Sequence, residues 1–190
     1  ISEEKVIQHL PEIRKFAGDR AVLRALHFFE ENKRVEAEVA ALKEGRFNDF
    51  LENITASGNS SWKWLQNCFT PSNNAEQGIT VALALTELFI AQKQRGACRV
   101  HGGGFAGVIM AMLPNDLVEE YTKYMEKCLG EGCAYNMSIR PYGAICVSDY
   151  TRVKNKETFI RNGPSAKTDG LVCYHAIIFL LLSFLVIAVQ

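Results

Sequence analysis

An α+β fold is predicted by three features of this 190-residue chain. Apolar residues recur at steps of three and four through the first half, and β-type runs set off by glycines follow Gly96. The connections between those runs are short, and strands joined that way pair antiparallel, since a parallel crossover needs a dozen residues or more. The expectation is a helical segment followed by a four-stranded antiparallel sheet with packed helices.

The first long helix is expected from Asp19, as N-cap, to Lys43 or Glu44, with Gly45 stopping it at C′. Val22, Leu26, Phe29, Val35, Val39 and Leu42 mark its apolar face, and the charge-rich stretch Glu30 to Glu38 reads as solvated surface. A second helix carries Phe47, Phe50, Leu51 and Ile54 and ends at the turn-forming Ser57-Gly58-Asn59. Ser60 or Ser61 then caps a helix holding Trp62, Leu65 and Phe69, which Pro71 interrupts. Asn73 or Asn74 opens the next, through Val81, Leu85, Leu88 and Phe89 to about Lys93, apolar enough to be largely buried.

After Gly96 the period changes. Ala97 to His101 and Val108 to Leu113 read as strands flanking the glycine-rich loop Gly102 to Gly107. Asn115 caps an amphipathic helix with Leu117, Val118, Tyr121, Tyr124, Met125, Cys128 and Leu129 on one face, ended by Gly130 and Gly132. The last two strands are Ala134 to Ile139 and Gly143 to Val147, joined at Arg140-Pro141-Tyr142. This organises the chain as a domain over residues 1–147, a polar linker over 148–170 and an apolar tail over 171–190.

Lys plus Arg equals Asp plus Glu, 21 of each, so the chain has no overall basic footprint for nucleic acid. None of the six cysteines forms a Cys-x-x-Cys pair, which argues against a zinc site or a disulfide scaffold and for small buried thiols in a reducing compartment. No metal site is expected from these residues.

The loop Gly102-Gly103-Gly104-Phe105-Ala106-Gly107 satisfies G-x-G-x-x-G. A dinucleotide fingerprint must open a helix, whereas Val108-Ile109-Met110-Ala111-Met112-Leu113 reads as a strand, so nicotinamide-cofactor binding is disfavoured. From these residues alone, two readings stay open: a phosphate-binding loop, or a tight hairpin whose glycines permit positive φ.

The run Gly96-Ala97-Cys98-Arg99 leading into that loop and a β-run resembles the third signature motif of the galactokinase, homoserine kinase, mevalonate kinase and phosphomevalonate kinase superfamily. Within it the likeness is to galactokinases. Arg24-Ala25-Leu26-His27, Glu31-Asn32 and Arg34-Val35 resemble their R-A-x-H…E-N-x-R-V helix. Ala41-Leu42-Lys43-Glu44-Gly45, Ser57 with Ser60-Ser61, and Ile139-Arg140-Pro141 with Gly143-Ala144 stand where the family has A-L-x-x-G, S-x-x-S and its closing strand pair. The resemblance covers roughly residues 12 to 147. Two loop positions depart from the pattern, His101 for a common Thr and Ala106 for Gly, and Asn67 to Asn73 match the family's Y-x-V-S-x-P-E segment poorly.

The resemblance implies the C-terminal half of a cytoplasmic enzyme that phosphorylates galactose at the C1 hydroxyl with ATP and Mg2+. Galactose and ATP are the implied ligands, with no nucleic acid. Gly102, Gly103, Gly104, Phe105 and Gly107 are the implied phosphate-loop support, and His101 is a candidate ligand contact. The family's catalytic residues and main phosphate loop come from the N-terminal half, so no catalytic residue is expected here, and the chain alone is expected to be inactive. A sugar- and ATP-binding sensor without turnover is the alternative from another class.

Leu171 to Val189 holds no charged residue and at ~1.5 Å per residue would nearly reach the ~30 Å of a bilayer core. Family members lack such a tail. It reads as an extension not native to the enzyme, ahead of a tail anchor that would attach the protein to a membrane or a lipid-anchor signal.

Overall fold

The computed structural model describes residues 1–104, 107–137 and 182–188. Its helices are α1 (Glu3–Gln8), α2 (Leu10–Ala17), α3 (Asp19–Lys43), α4 (Phe47–Ser60), α5 (Gly78–Lys93) and α6 (Val118–Leu129). Its strands are β1 (Ala97–Val100), β2 (Val108–Pro114), β3 (Ala134–Met137) and β4 (Leu182–Ala188). The class is α+β, with β1 and β2 forming an antiparallel pair in which Ala97 faces Met112 and Val100 faces Ile109.

Period-two alternation divides this pair between two cores. Cys98, Val100, Ile109, Ala111 and Leu113 pack with Ile79, Ala82 and Phe89 of α5 and with Tyr121 and Met125 of α6. Ala97, Met110 and Met112 point the other way, against Ala41 of α3 and Phe50 and Ile54 of α4. Arg99 shares that second alternation, so the strand delivers a guanidinium toward the α3–α4 layer.

Strand β2 also pairs with β4, and β4 with β3, in the order β1-β2-β4-β3. The strand expected at Gly143 to Val147 lies outside the described residues, as do Ser138 and Ile139 at the end of the expected third strand. Beside β2 stands part of the uncharged tail, whose apolar composition suits a strand flanking a buried one. Among the described residues no helix is long and apolar enough to cross a membrane.

Several expected boundaries move. Asp19 does not cap α3: Gly18 holds the N-cap position with φ +81°, and Asp19 pairs with Arg14 at 2.5 Å. Gly45 does close the helix, with φ +71°. The turn expected at Ser57-Gly58-Asn59 is absent. α4 runs through it and continues as a π-helical turn, Ser61–Leu65, so Ser60 and Ser61 are buried within helix instead of capping one.

Gly58 belongs there for a packing reason. A Cβ at this position would lie 2.9 Å from the Cys98 carbonyl oxygen and 3.0 Å from Arg99 Cβ, so its absence lets α4 cross β1 closely. α5 starts at Gly78, later than Asn73 or Asn74, because Asn73 accepts the Ala75 N–H at 3.2 Å in a local turn. Asn115 opens a 3-10 turn, Asn115–Leu117, ahead of α6. α5 is also less buried than its composition suggests, since Leu88 is 66% and Val81 48% exposed.

Candidate phosphate-loop site

The glycine loop joins β1 to β2, and the His101 N–H donates to the Val108 carbonyl at 2.9 Å to close the hairpin. A strand follows the loop, as required to set aside the dinucleotide reading. Gly102 (φ +66°), Gly104 (φ +75°) and Gly107 (φ +142°) occupy conformations that side-chain-bearing residues rarely adopt. Gly103 does not. Phe105 and Ala106 lie outside the described residues. His101 is exposed at the end of β1.

Space around the loop is uneven. At Gly102 and Gly103 no described atom lies within 4 Å of where a Cβ would sit, so one side is open. At Gly104 a Cβ would fall 2.1 Å from the Asn67 carbonyl oxygen and 2.8 Å from its side-chain amide. Asn67 is 2% exposed and donates from Nδ2 to the Gly103 carbonyl at 3.3 Å. The loop therefore rests on Asn67 at Gly103 and Gly104, and among the described atoms nothing crowds its other side.

Beneath the hairpin lies a polar network that joins three helical segments to β1. Arg99 donates from Nη1 to Ser57 Oγ and ion-pairs with Glu31 at 3.5 Å, while Nη2 reaches Ser61 Oγ at 3.5 Å. Ser57 in turn donates to Glu31 Oε2 at 2.5 Å, and Arg34 holds the other Glu31 oxygen at 3.0 Å. His27 Nδ1 lies 2.9 Å from Ser60 Oγ. Burial lowers the His27 pKa, opposed by the Glu31 charge and reinforced by the charges of Arg34 and Arg99. Burial raises that of Glu38, which the Arg99 charge opposes.

The stretch Glu30 to Glu38 is thus not simply solvated surface. His27, Glu31, Arg34 and Glu38 stand at i, i+4, i+7 and i+11, one stripe of α3, and it faces α4 and β1. That spacing was readable beforehand as a second, polar face. Asn67 carried no such signal, because its place under the loop depends on the π-helical turn and on Gln66, whose φ of +56° redirects the chain. A cavity of about 610 Å³ opens between α4, the π turn, α5 and β1, with Asn59, Trp62, Lys63, Glu87 and Arg99 on its walls, and none of the described glycine-loop residues lines it.

The thiols divide by burial. Cys68 and Cys98 are buried and their pKa values are pushed up to about 11 and about 12, chiefly by desolvation. Cys128 is exposed, against the expectation of burial: at i+7 from Tyr121 it shares the face of the buried Tyr121 and Met125, but it stands in the last turn of α6, next to the helix end. Cys146 and Cys173 lie outside the described residues. Among the described residues no group of three His, Cys, Asp or Glu side chains could hold a metal ion.

No protein-family model matches the chain, and no solved structure matches it. Among curated proteins it is similar to a galactokinase of Glaesserella parasuis serovar 5 (strain SH0165), with 30% identity over 155 residues. The match takes in 80% of this chain and 36% of that protein, so the chain spans about a third of the length of the curated relative it matches. The chain is, at this distance, galactokinase-like.

Proposed function

We propose that the chain is the C-terminal part of a galactokinase, which transfers the γ-phosphoryl group of MgATP to the C1 hydroxyl of galactose. One observation carries the reading. The motif residues that suggested it are scattered along the sequence yet meet in space beside β1, the strand that leads into the glycine loop. Arg99, Glu31, Arg34, Ser57 and Ser61 form one network, with the His27–Ser60 pair next to it, close enough for the Glu31, Arg34 and Arg99 charges to act on the imidazole. Unrelated resemblances would have no reason to converge in space. The distant similarity to a galactokinase supports the same reading.

The loop fits the role assigned to it. Gly102 and Gly103 leave open space where side chains would stand, so backbone N–H groups can approach phosphate oxygens closely. Positive φ at Gly102 and Gly104 curls the backbone as an anion-binding nest requires. Gly102, Gly103 and Gly104 would support the phosphates, and His101, exposed at the rim, stays a candidate contact. Phosphoryl transfer needs positioning and charge stabilisation more than covalent chemistry from the protein. This part of the enzyme contributes positioning, and the remainder supplies the catalytic groups.

A titration of the isotopically labelled chain with MgATP tests the loop. Amide shifts concentrated at Gly102 to Gly104 are expected, without conversion of added galactose to galactose 1-phosphate. Shifts confined elsewhere would refute the phosphate role. Turnover by the purified chain, free of host galactokinase, would refute its reading as the non-catalytic part.

A further inference from the structure

We infer that Asn67 is a positioning residue for the phosphate loop, setting the height and order of Gly103 and Gly104. The inference rests on the phosphate reading above and adds to it a residue from the segment where the sequence departs from the family pattern.

Three observations converge on Asn67. Its side chain is almost wholly buried, where an amide is retained only if its polar atoms find partners. Those partners are the Gly103 carbonyl, which accepts from Nδ2 at 3.3 Å, and the Cys68 thiol, 3.9 Å from Oδ1. Second, the Asn67 main-chain carbonyl stands where a Gly104 Cβ would be, 2.1 Å away, so loop and floor are in backbone contact. Third, the chain reaches this position by two uncommon steps. The π-helical turn Ser61–Leu65 ends in left-handed Gln66, whose N–H donates to the Ser61 carbonyl at 2.8 Å. Arg20 donates to the Gln66 carbonyl at 3.3 Å. A π turn and a left-handed non-glycine residue both cost free energy and persist where the surroundings hold them.

The consequence is directional. Nδ2 pulls the Gly103 carbonyl down toward Asn67, and because a peptide plane is rigid, the N–H of Gly104 on that plane is oriented the opposite way. Asn67 thereby aims a loop donor toward the open side, where the phosphate would lie, without touching the ligand itself.

The experiment compares the whole chain with Asn67→Asp, which keeps the shape and removes the donor, and with Asn67→Ser, which is too short to reach Gly103. Two readouts are taken by NMR: backbone order at Gly102 to Gly104, and the MgATP titration of the same amides. Expected are lower loop order and roughly tenfold weaker nucleotide response in both variants, with amide shifts of β1 and β2 unchanged. Preserved loop order and an unchanged titration in either folded variant would overturn the inference. If the unmodified chain gives no nucleotide response, the phosphate reading fails by itself. Loop order then decides the role of Asn67: unaltered order overturns the brace, and lost order confined to Gly102 to Gly104 upholds it. Should Asn67→Asp not fold, Asn67→Ser gives the same two measurements.

Discussion

Replacing Arg99 with Met tests the network under the hairpin. Methionine keeps much of the side-chain length and removes the guanidinium, so Ser57, Ser61 and Glu31 lose their common partner. Hydrogen bonds to charged groups contribute about 1.5–3 kcal/mol each, and breaking a fully buried pair costs about 3–5 kcal/mol against about 0–1 for an exposed one. Arg99 and Glu31 side chains are 25% and 22% exposed, between those limits. Glu31 also keeps Arg34 and the Ser57 hydroxyl, which softens the loss. The expected cost is about 2 kcal/mol, with a fall in melting temperature of about 4–8 °C for a chain of this size. Urea unfolding followed by circular dichroism measures it, the midpoint falling with the slope unchanged. The variant Glu31→Gln and the double variant complete a cycle in which the two changes cost less together than their sum. A loss below about 0.5 kcal/mol for Arg99→Met, or strict additivity, would refute the network as a stabilising unit.

Thr86 and Tyr121 are both fully buried and their hydroxyls meet at 2.7 Å, while Thr86 also donates to the Ala82 carbonyl at 2.7 Å. Thr86→Val should therefore cost more, about 1–3 kcal/mol, since it strands the Tyr121 hydroxyl, whereas Tyr121→Phe leaves Thr86 bonded and should cost about 1, as read by urea unfolding. His27 has a folded pKa lowered below its ordinary 6.5, so the unfolded chain binds the extra proton and stability drops as pH falls below that value. Glu38, raised above 4.5, acts in the opposite sense, favouring the folded state at the acid end of its own window. Unfolding midpoints from pH 7.5 to 5.5, or roughly from one unit above the ordinary histidine value to one below, should fall for the unmodified chain and fall less for His27→Gln. Gly103→Val should leave the melting temperature near its starting value and weaken the MgATP response, while Gly104→Ala, which meets Asn67 backbone, should lower the melting temperature outright.

Helices α3 and α6 were legible in sequence because each carries a periodic apolar face, and α5 and β2 because each is a mostly apolar run, with glycines or a proline marking their ends. What misled was local turn chemistry. Ser57-Gly58-Asn59 has turn composition, yet tertiary contacts override it: Ser57 bonds Glu31 and Arg99, and Gly58 admits the strand. The glycine loop itself was plain, and so was the family likeness of the residues beneath it. Their meeting in space was not, because it depends on which face of β1 bears Arg99. Asn67 was invisible for a further reason, since no sequence period marks a π turn, and its segment was the one that matched the family pattern least.

That π turn has a consequence for reading other sequences beside this one. Widening a helical turn by a residue shifts everything after it by about 100° around the axis, the rotation an α-helix makes per residue. A relative that keeps a plain α-turn here would align with a single-residue gap between Ser61 and Leu65. Ungapped alignment across that turn would pair Asn67 with a residue that never reaches the loop. Deleting one residue from Ser61 to Leu65 in this chain should likewise swing Asn67 out from under Gly104, while leaving the composition around the loop untouched.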